Sequence, residues 1–160
     1  MKNNASTSFE TIPVEVQHSV SIQAEKNRIY HCISTVEGWN AWFTSAMSLD
    51  ARPGGRIIFH WKNWGAEKIS GGDHGELIDL IPDEKISFTW HPDQPDYTTT
   101  VELNITGSHS PYVVHVTEFG FADTLQGMHA MVRSAAGWGE ALTLMKMYLE
   151  YHISLVEREP

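Results

Sequence analysis

Two titratable side chains lie where the sequence would let them do chemistry inside a fold, and the first is His18. Every second residue from Val14 to Ile22 is apolar except His18, so the histidine shares the apolar face of a predicted strand. A neutral imidazole there could hydrogen-bond a ligand hydroxyl or carbonyl, or act as a general base. The alternative is a strand-edge histidine bonded to a backbone carbonyl.

The second is Glu118, at the end of the last predicted strand and in phase with Val114 and Val116. Its carboxylate should therefore point to the same interior as those valines. A buried carboxylate needs a partner, and Arg133 on the following helix could supply the charge through a salt link between sheet and helix. The alternative is a ligand-binding or acid–base role for Glu118.

Other reactive residue types form no recognisable motif. The nine histidines show neither His-x-His nor His-Glu-x-x-His spacing and have no nearby cysteine pair, so we expect no metal and no cofactor. Cys32 follows Ile29 and precedes Ile33 at helical spacing, which predicts an inert, buried thiol. No Gly-x-Ser-x-Gly elbow surrounds a serine. We therefore assign no catalytic residue.

The charge balance excludes several classes of partner. Twenty Asp and Glu against eleven Lys and Arg give a formal net charge of -9 over 160 residues, and the basic residues are scattered. Such a surface repels phosphate backbones and anionic lipids, so we expect no nucleic-acid and no membrane partner. The single cysteine and the absence of a secretory leader pattern predict a cytoplasmic protein. No apolar run approaches the roughly 18 residues of a membrane span.

The chain divides into a flexible tail at residues 1–10 and a single domain at residues 11–156. The strand over Val14–Ile22 is followed by two short helices, predicted to break near Gly38. Turn signals then separate six consecutive strands, with a Gly-rich loop over residues 63–73. The sequence therefore predicts about seven strands.

The C-terminal segment is predicted to form one long helix, Thr124–Ser154. No proline interrupts it, and Asp123 followed by Gln126 resembles a capping box. Apolar residues at spacings of three or four form one stripe, which should face the sheet. The predicted stripe consists of Leu125, Met128, Val132, Ala135, Gly139, Leu142, Met145 and Leu149.

Together these elements predict an α+β fold in which a curved antiparallel sheet grips the long helix. Hairpin-linked strands pair antiparallel, and a strongly twisted sheet curls around a helix packed on it. Any gap between sheet and helix would be an apolar cavity. The residues expected to line it are His18, Trp42, Phe59, Trp61, Phe88, Trp90, Val101, Leu103, Val114, Val116, Glu118, Met128, Val132, Ala135, Trp138 and Leu142.

Six sequence blocks occur in the order seen in one known superfamily. They are Trp39–Phe43, Asp50–Gly55, Gly75–Pro82, Ile86–Trp90, Glu118–Phe121 and Gly137–Glu150. With them the chain resembles the START-like superfamily, also called SRPBCC or helix-grip, and within it the branch of HSP-90 ATPase activator homologues. The resemblance implies the helix-grip fold, a ligand-sized cavity and a chaperone as a possible partner.

Three functions are compatible with these observations. The first is a small-molecule binding protein, monomeric or weakly dimeric, that holds a lipid-like or aromatic ligand between sheet and helix. The second is a cyclase or dehydratase that uses His18 or Glu118 as a general base in the same cavity. The third is an interaction protein of a chaperone or stress pathway, with a closed interior.

Overall fold

The structure is a computed structural model that describes residues 9–92 and 96–157. Its elements are β1 Val16–Ile22, α1 Lys26–Ser34, α2 Val36–Trp42, β2 Ala46–Leu49, β3 Arg56–Trp64, β4 Ile69–Ile81, β5 Lys85–Trp90, β6 Thr99–Thr106, β7 Tyr112–Phe119 and α3 Leu125–Tyr151. All seven strands form one antiparallel sheet in the order β1-β7-β6-β5-β4-β3-β2. This confirms the predicted α+β helix-grip fold.

The core lies on the concave face of the sheet. In the central strands Val101 pairs with Phe88 on one side and with Glu118 on the other, and all three side chains are fully buried. Since side chains alternate along a strand, every second residue of β5, β6 and β7 faces this core. The carboxylate of Glu118 is therefore enclosed among apolar side chains.

The two short helices break at Thr35, and the predicted break near Gly38 is wrong. Thr35 has an extended backbone, and its hydroxyl accepts the Gly38 N–H at 2.9 Å, which caps α2. Gly38 lies inside α2 against α1, where a Cβ would come within 2.0 Å of the His31 carbonyl oxygen. The glycine is thus needed for close helix packing.

The predicted loop over residues 63–73 is mostly a hairpin. Strand β3 continues to Trp64, a turn follows, and β4 begins at Ile69. Gly71 and Gly72 lie within β4 and pair with Trp61 and His60 of β3. The ladder between the two strands compensates for the weak strand preference of glycine. The outer part of this hairpin extends past the pairing of β4 with β5 and forms one wall of the candidate site.

Helix α3 begins one residue later than the capping pattern indicates. The hydroxyl of Thr124, and not the carboxylate of Asp123, caps the helix by accepting the Gly127 N–H at 3.0 Å. The helix ends at Tyr151 and not at the predicted Ser154, and the left-handed backbone of His152 (φ 57°) lets its N–H bond back to the last turn.

The first half of the predicted apolar stripe is wrong. Met128 and Val132 are 46% and 66% exposed, and Ala135 is also exposed. A Cβ on Gly127 would lie 1.8 Å from the Ala122 carbonyl oxygen, so the first turn packs through its glycine. The buried face consists of Gly127, Ala130, Trp138, Ala141, Leu142, Met145 and Leu149.

Residues 9 and 10, which the sequence predicts to be part of the tail, make specific contacts with the folded domain. The Glu10 carbonyl accepts the Asp123 N–H at 2.8 Å, and the ring centroids of Phe9 and Tyr97 are 4.9 Å apart. Residues 1–8 lie outside the described part of the chain. Within the described part, no helix combines the length and apolarity needed to cross a bilayer.

Candidate functional site

A cavity of about 780 Å³ lies between the β3–β4 hairpin, the end of β5 and the first half of α3. Its walls contain five aromatic side chains, which we call the aromatic wall: Phe43, Trp61, Trp64, Trp90 and Trp138. Their rings contact one another in sequence. The Phe43 centroid is 5.5 Å from that of Trp61 and 5.6 Å from that of Trp64, and the Trp90 and Trp138 centroids are 5.2 Å apart. Such mutual packing holds a wall rigid.

The helix makes room for the cavity with small side chains. Ala130, Gly137 and Ala141 all line it. A Cβ added at Gly137 would meet nothing within 4 Å, so the helix surface is recessed at this point. In the second half of α3 the larger side chains of Leu142 and Met145 are fully buried and fill the space over the sheet. The cavity therefore lies at one end of the sheet–helix interface.

Glu118 lies directly behind the aromatic wall. One carboxylate oxygen accepts the Trp90 indole N–H at 2.8 Å and the Thr99 hydroxyl at 2.6 Å. The other accepts the Ser134 hydroxyl at 2.6 Å and the Trp138 indole N–H at 2.9 Å. Four donors match the lone pairs of an ionised carboxylate. Because Trp90, Ser134 and Trp138 all line the cavity, Glu118 holds three of its residues in position.

The predicted salt link of Glu118 is wrong. Within residues 9–92 and 96–157 no ion pair joins Glu118 to Arg133, and the four hydrogen-bonding partners of the carboxylate are neutral. Arg133 instead lines the cavity from the exposed side of α3. A buried carboxylate can be stabilised by several oriented dipoles in place of one cation, because each charge-assisted hydrogen bond is strong.

Of the sixteen residues predicted to line a cavity, the structure places three on its wall: Trp61, Trp90 and Trp138. Met128, Val132 and Ala135 lie on the outer side of α3. Glu118 lies behind the wall. The others pack elsewhere between the sheet and the helices: His18, Trp42, Phe59, Phe88, Val101, Leu103, Val114, Val116 and Leu142. Alternation identifies the inward face of a strand but not which part of that face the helix leaves uncovered.

His18 and Glu118, the two hypothetical general bases, do not contact the cavity. The half-buried His18 ring lies on β1 against α3, 3.8 Å from where a Cβ on Gly139 would be. Sequence reasoning missed Phe43, Trp64 and Gly137 as wall residues. The sequence feature that could have indicated the site is the run of small residues at helical spacing on α3. Small side chains leave the helix surface recessed, and a cavity can form there.

The rim of the cavity carries a polar cluster formed by Asp73, His74 and His91. The His91 Nδ1 atom is 2.8 Å from the Asp73 carboxylate and 3.1 Å from the His74 carbonyl oxygen. Both neighbours are acceptors, so Nδ1 carries the proton and Nε2 keeps its lone pair in the neutral ring. Asp73 also accepts the backbone N–H groups of His74 and His91, each at 2.7 Å. A spacing search cannot find this cluster, because two adjacent strands assemble it.

The far end of the cavity is tied to α3 by Glu140. Its carboxylate accepts the Ala66 N–H at 3.1 Å, which links the helix to the turn of the β3–β4 hairpin. Glu140 also lines the cavity. The hairpin wall is therefore held in place against the helix by a side chain that a ligand could reach.

Several solved structures share the fold. The Aha1 dimer from Colwellia psychrerythraea has a TM-score of 0.68 at 22% identity, covering 86% of this chain and 96% of that chain. Protein MLL2253 from Mesorhizobium loti has a TM-score of 0.71 at 14% identity, covering 88% and 99%. CalU16 from Micromonospora echinospora has a TM-score of 0.63 at 16% identity, covering 90% and 83%. No protein of curated function matches the sequence significantly.

The sequence itself matches one family over residues 23–150, from just after β1 almost to the end of α3. That family is described as Activator of Hsp90 ATPase homolog 1-like protein. The match includes both short helices, six of the strands and most of the long helix, and it confirms the resemblance noted in the sequence. The chain thus belongs to the Activator of Hsp90 ATPase homolog 1-like family, a branch of the START-like proteins.

Proposed function

We propose that this protein binds a small apolar or aromatic molecule in the cavity beside α3. The observation that carries the proposal is the aromatic wall around a space of about 780 Å³. Pockets for small molecules commonly measure about 300–1,000 Å³ and combine apolar walls with a few polar groups. This cavity has that size and that composition.

The distribution of polar groups narrows the ligand class. The aromatic wall offers ring faces for stacking, whereas Asp73 and His91 lie at one rim and Glu140 at the hairpin end. A ligand that fits both surfaces has an extended apolar or aromatic body and a polar group near an edge. Polyketides, flavonoids and fatty acids meet this description, and planar aromatic compounds match the indole faces best.

A thermal-shift screen with fatty acids, polyketides and flavonoids, followed by native mass spectrometry, tests the proposal. A true ligand adds about 2.7 kcal/mol of stability at a hundredfold excess over its dissociation constant. Mass spectrometry should then show one molecule per chain. If no apolar compound in these classes raises the melting temperature, the proposal is contradicted.

A matched pair of glycine variants locates the binding. Gly137→Leu places a side chain in open space that lines the cavity, whereas Gly139→Ala adds a methyl group in ordinary contact with His18, away from it. Both changes replace a helical glycine, so both variants should fold. Compounds that stabilise the wild type should also stabilise Gly139→Ala and should lose their effect on Gly137→Leu. Equal effects on both would place the ligand elsewhere.

The two alternative functions gain less support from this geometry. A cyclase or dehydratase would share the cavity, but His18 and Glu118, its expected bases, do not contact it. An interaction protein with a closed interior does not need an aromatic-walled cavity of this size. Ligand binding accounts for the cavity without a further assumption.

A further inference from the structure

We propose that Asp73, His74 and His91 form a binding site for one divalent transition-metal ion at the rim of the cavity. The proposal goes beyond ligand binding, because the ion would bind whether or not an organic molecule occupies the cavity. One potential ligand atom from each of the three residues lies within 4.8 Å of the other two. The three are therefore close enough for one ion to bind all of them after a small adjustment of a side chain.

His91 and Asp73 already lie close to the spacing of two ligands of one ion. The His91 Nδ1 atom is 2.8 Å from the Asp73 carboxylate, so an ion that replaces the Nδ1 proton would be bound by both residues. The displaced proton would move to Nε2 or to solvent, which makes the affinity depend on pH. The His91 side chain is 23% exposed, so an ion can reach the ring.

Asp73 supplies a fixed negative charge. Its side chain is 14% exposed, and the backbone N–H groups of His74 and His91 hold one oxygen each, at 2.7 Å. Each carboxylate oxygen has two lone pairs, so the oxygen that faces His91 Nδ1 and accepts the His74 backbone N–H can direct its second lone pair at an ion that replaces the Nδ1 proton. The negative charge of Asp73 lies beside two imidazoles that are uncharged in their neutral form. This arrangement favours a cation bound by all three side chains.

His74 provides the adjustable ligand. Its ring centroid is 4.9 Å from that of His91, and its side chain is exposed. Ligand atoms about 2.1 Å from a tetrahedral ion lie about 3.4 Å from one another. A change of side-chain rotamer at His74 is a small movement for a surface residue, so closure around an ion needs no backbone shift.

The ligand set selects the class of metal. Two imidazole nitrogens and one carboxylate suit zinc, iron, nickel or cobalt, whereas magnesium and calcium prefer oxygen ligands alone. Three protein ligands leave at least one position open, and this site opens on the cavity. A ligand bound against the aromatic wall could then reach the ion through a polar group at its edge.

Calorimetric titration of the untagged, chelator-treated protein with Zn²⁺, without any organic compound, tests the site. We expect one ion per chain and an affinity that falls about tenfold or more in Asp73→Asn, His74→Gln and His91→Gln. Co²⁺ should give visible d–d absorption that the same variants lose. His31→Gln is the control, because His31 and Glu37 form an exposed pair 4.0 Å apart outside the cluster.

Two results would overturn the metal proposal: no binding of Zn²⁺ or Co²⁺, or binding that all three cluster variants retain with unchanged affinity. His74→Gln keeps the test valid if a buried variant unfolds, because His74 is exposed. Failure here leaves ligand binding intact, since the thermal-shift screen is read on the same chelator-treated protein without added metal. Conversely, metal binding by Gly137→Leu with no ligand response would separate the two sites.

Discussion

The Glu118 carboxylate accepts the Trp138 indole N–H at 2.9 Å across the interface between β7 and α3. The same carboxylate accepts the Trp90 indole N–H at 2.8 Å, so one buried acid joins two tryptophans of the aromatic wall. An indole has a single N–H donor, and both of these donors are used behind the wall. The ring faces of Trp90 and Trp138 are therefore left for contact with a ligand.

Replacing this acid should destabilise the protein strongly. Glu118→Gln keeps the shape but turns an amide NH₂ towards one indole N–H and one hydroxyl. The hydroxyl can rotate to accept from the NH₂, but the buried indole N–H loses its acceptor, and the remaining hydrogen bonds are made to a neutral oxygen. We expect a loss of about 3 kcal/mol in the free energy of unfolding, measured by urea denaturation. Ser134→Ala removes only one donor and should cost about 1 kcal/mol. Wild-type stability in Glu118→Gln would contradict the role of the carboxylate.

The indole N–H groups of the wall tryptophans should contribute unequally to the stability of the protein. Trp61 and Trp90 are both half-buried on neighbouring parts of the sheet, but only Trp90 donates to Glu118, and the buried Trp61 Nε1 has no partner among the described residues. Trp61→Phe should therefore destabilise less than Trp90→Phe, by about 1 kcal/mol in denaturation experiments. Equal losses would mean that ring volume alone determines stability here.

Replacing a glycine of α3 by alanine should raise stability at one position and lower it at another. Gly137→Ala adds a methyl group where nothing lies within 4 Å, so helix propensity dominates and stability should rise by about 1 kcal/mol. Gly127→Ala would place a Cβ 1.8 Å from the Ala122 carbonyl oxygen and should lower the melting temperature. A loss of stability in Gly137→Ala would show that the helix surface is not recessed there.

The thiol of Cys32 should be unreactive in the folded protein. Burial raises its pKa to about 12, and the positive charge of Arg28 opposes this shift without cancelling it. A thiol reagent at pH 8 should react only after the protein is unfolded. Rapid reaction of the native protein, with its melting curve unchanged, would contradict this burial.

The raised pKa of Cys32 also predicts that the stability of the protein depends on pH. The unfolded thiol has its ordinary pKa of 9.0, whereas burial raises the pKa of the folded thiol to about 12. The folded state thus binds more protons in this window, and stability should fall as pH rises from about 9 to 12. Cys32→Ala should lose this contribution, so its stability should fall less steeply over that range than that of the wild type.

Local patterns were enough to predict the fold. Alternation in β1 and in β5 to β7, together with an uninterrupted C-terminal helix, specified a sheet and a helix that must pack on it. The boundary errors have local causes. Thr124 competes with Asp123 as the cap, and the hairpin ladder keeps Gly71 and Gly72 in a strand.

The site was harder to predict, because it depends on what is absent from the helix surface. The hydrophobic side chains of Met128 and Val132 led to the prediction that they face inward. The buried face of the helix begins instead with Gly127 and Ala130, and at Gly127 the helix backbone packs closely against Ala122. The polar cluster at the rim needs the register of β4 beside the end of β5, which brings residues 18 apart in sequence together. Neither fact can be read from spacing along the chain.

The most direct test of the ligand-binding proposal is an NMR titration that follows the six tryptophan indole N–H signals. The probe is any compound that raises the melting temperature. Four tryptophans belong to the aromatic wall, whereas Trp39 and Trp42 are buried outside it and serve as internal controls. The proposal predicts ligand-dependent shifts confined to Trp61, Trp64, Trp90 and Trp138. Shifts largest at Trp39 and Trp42, or none at the wall, would contradict it.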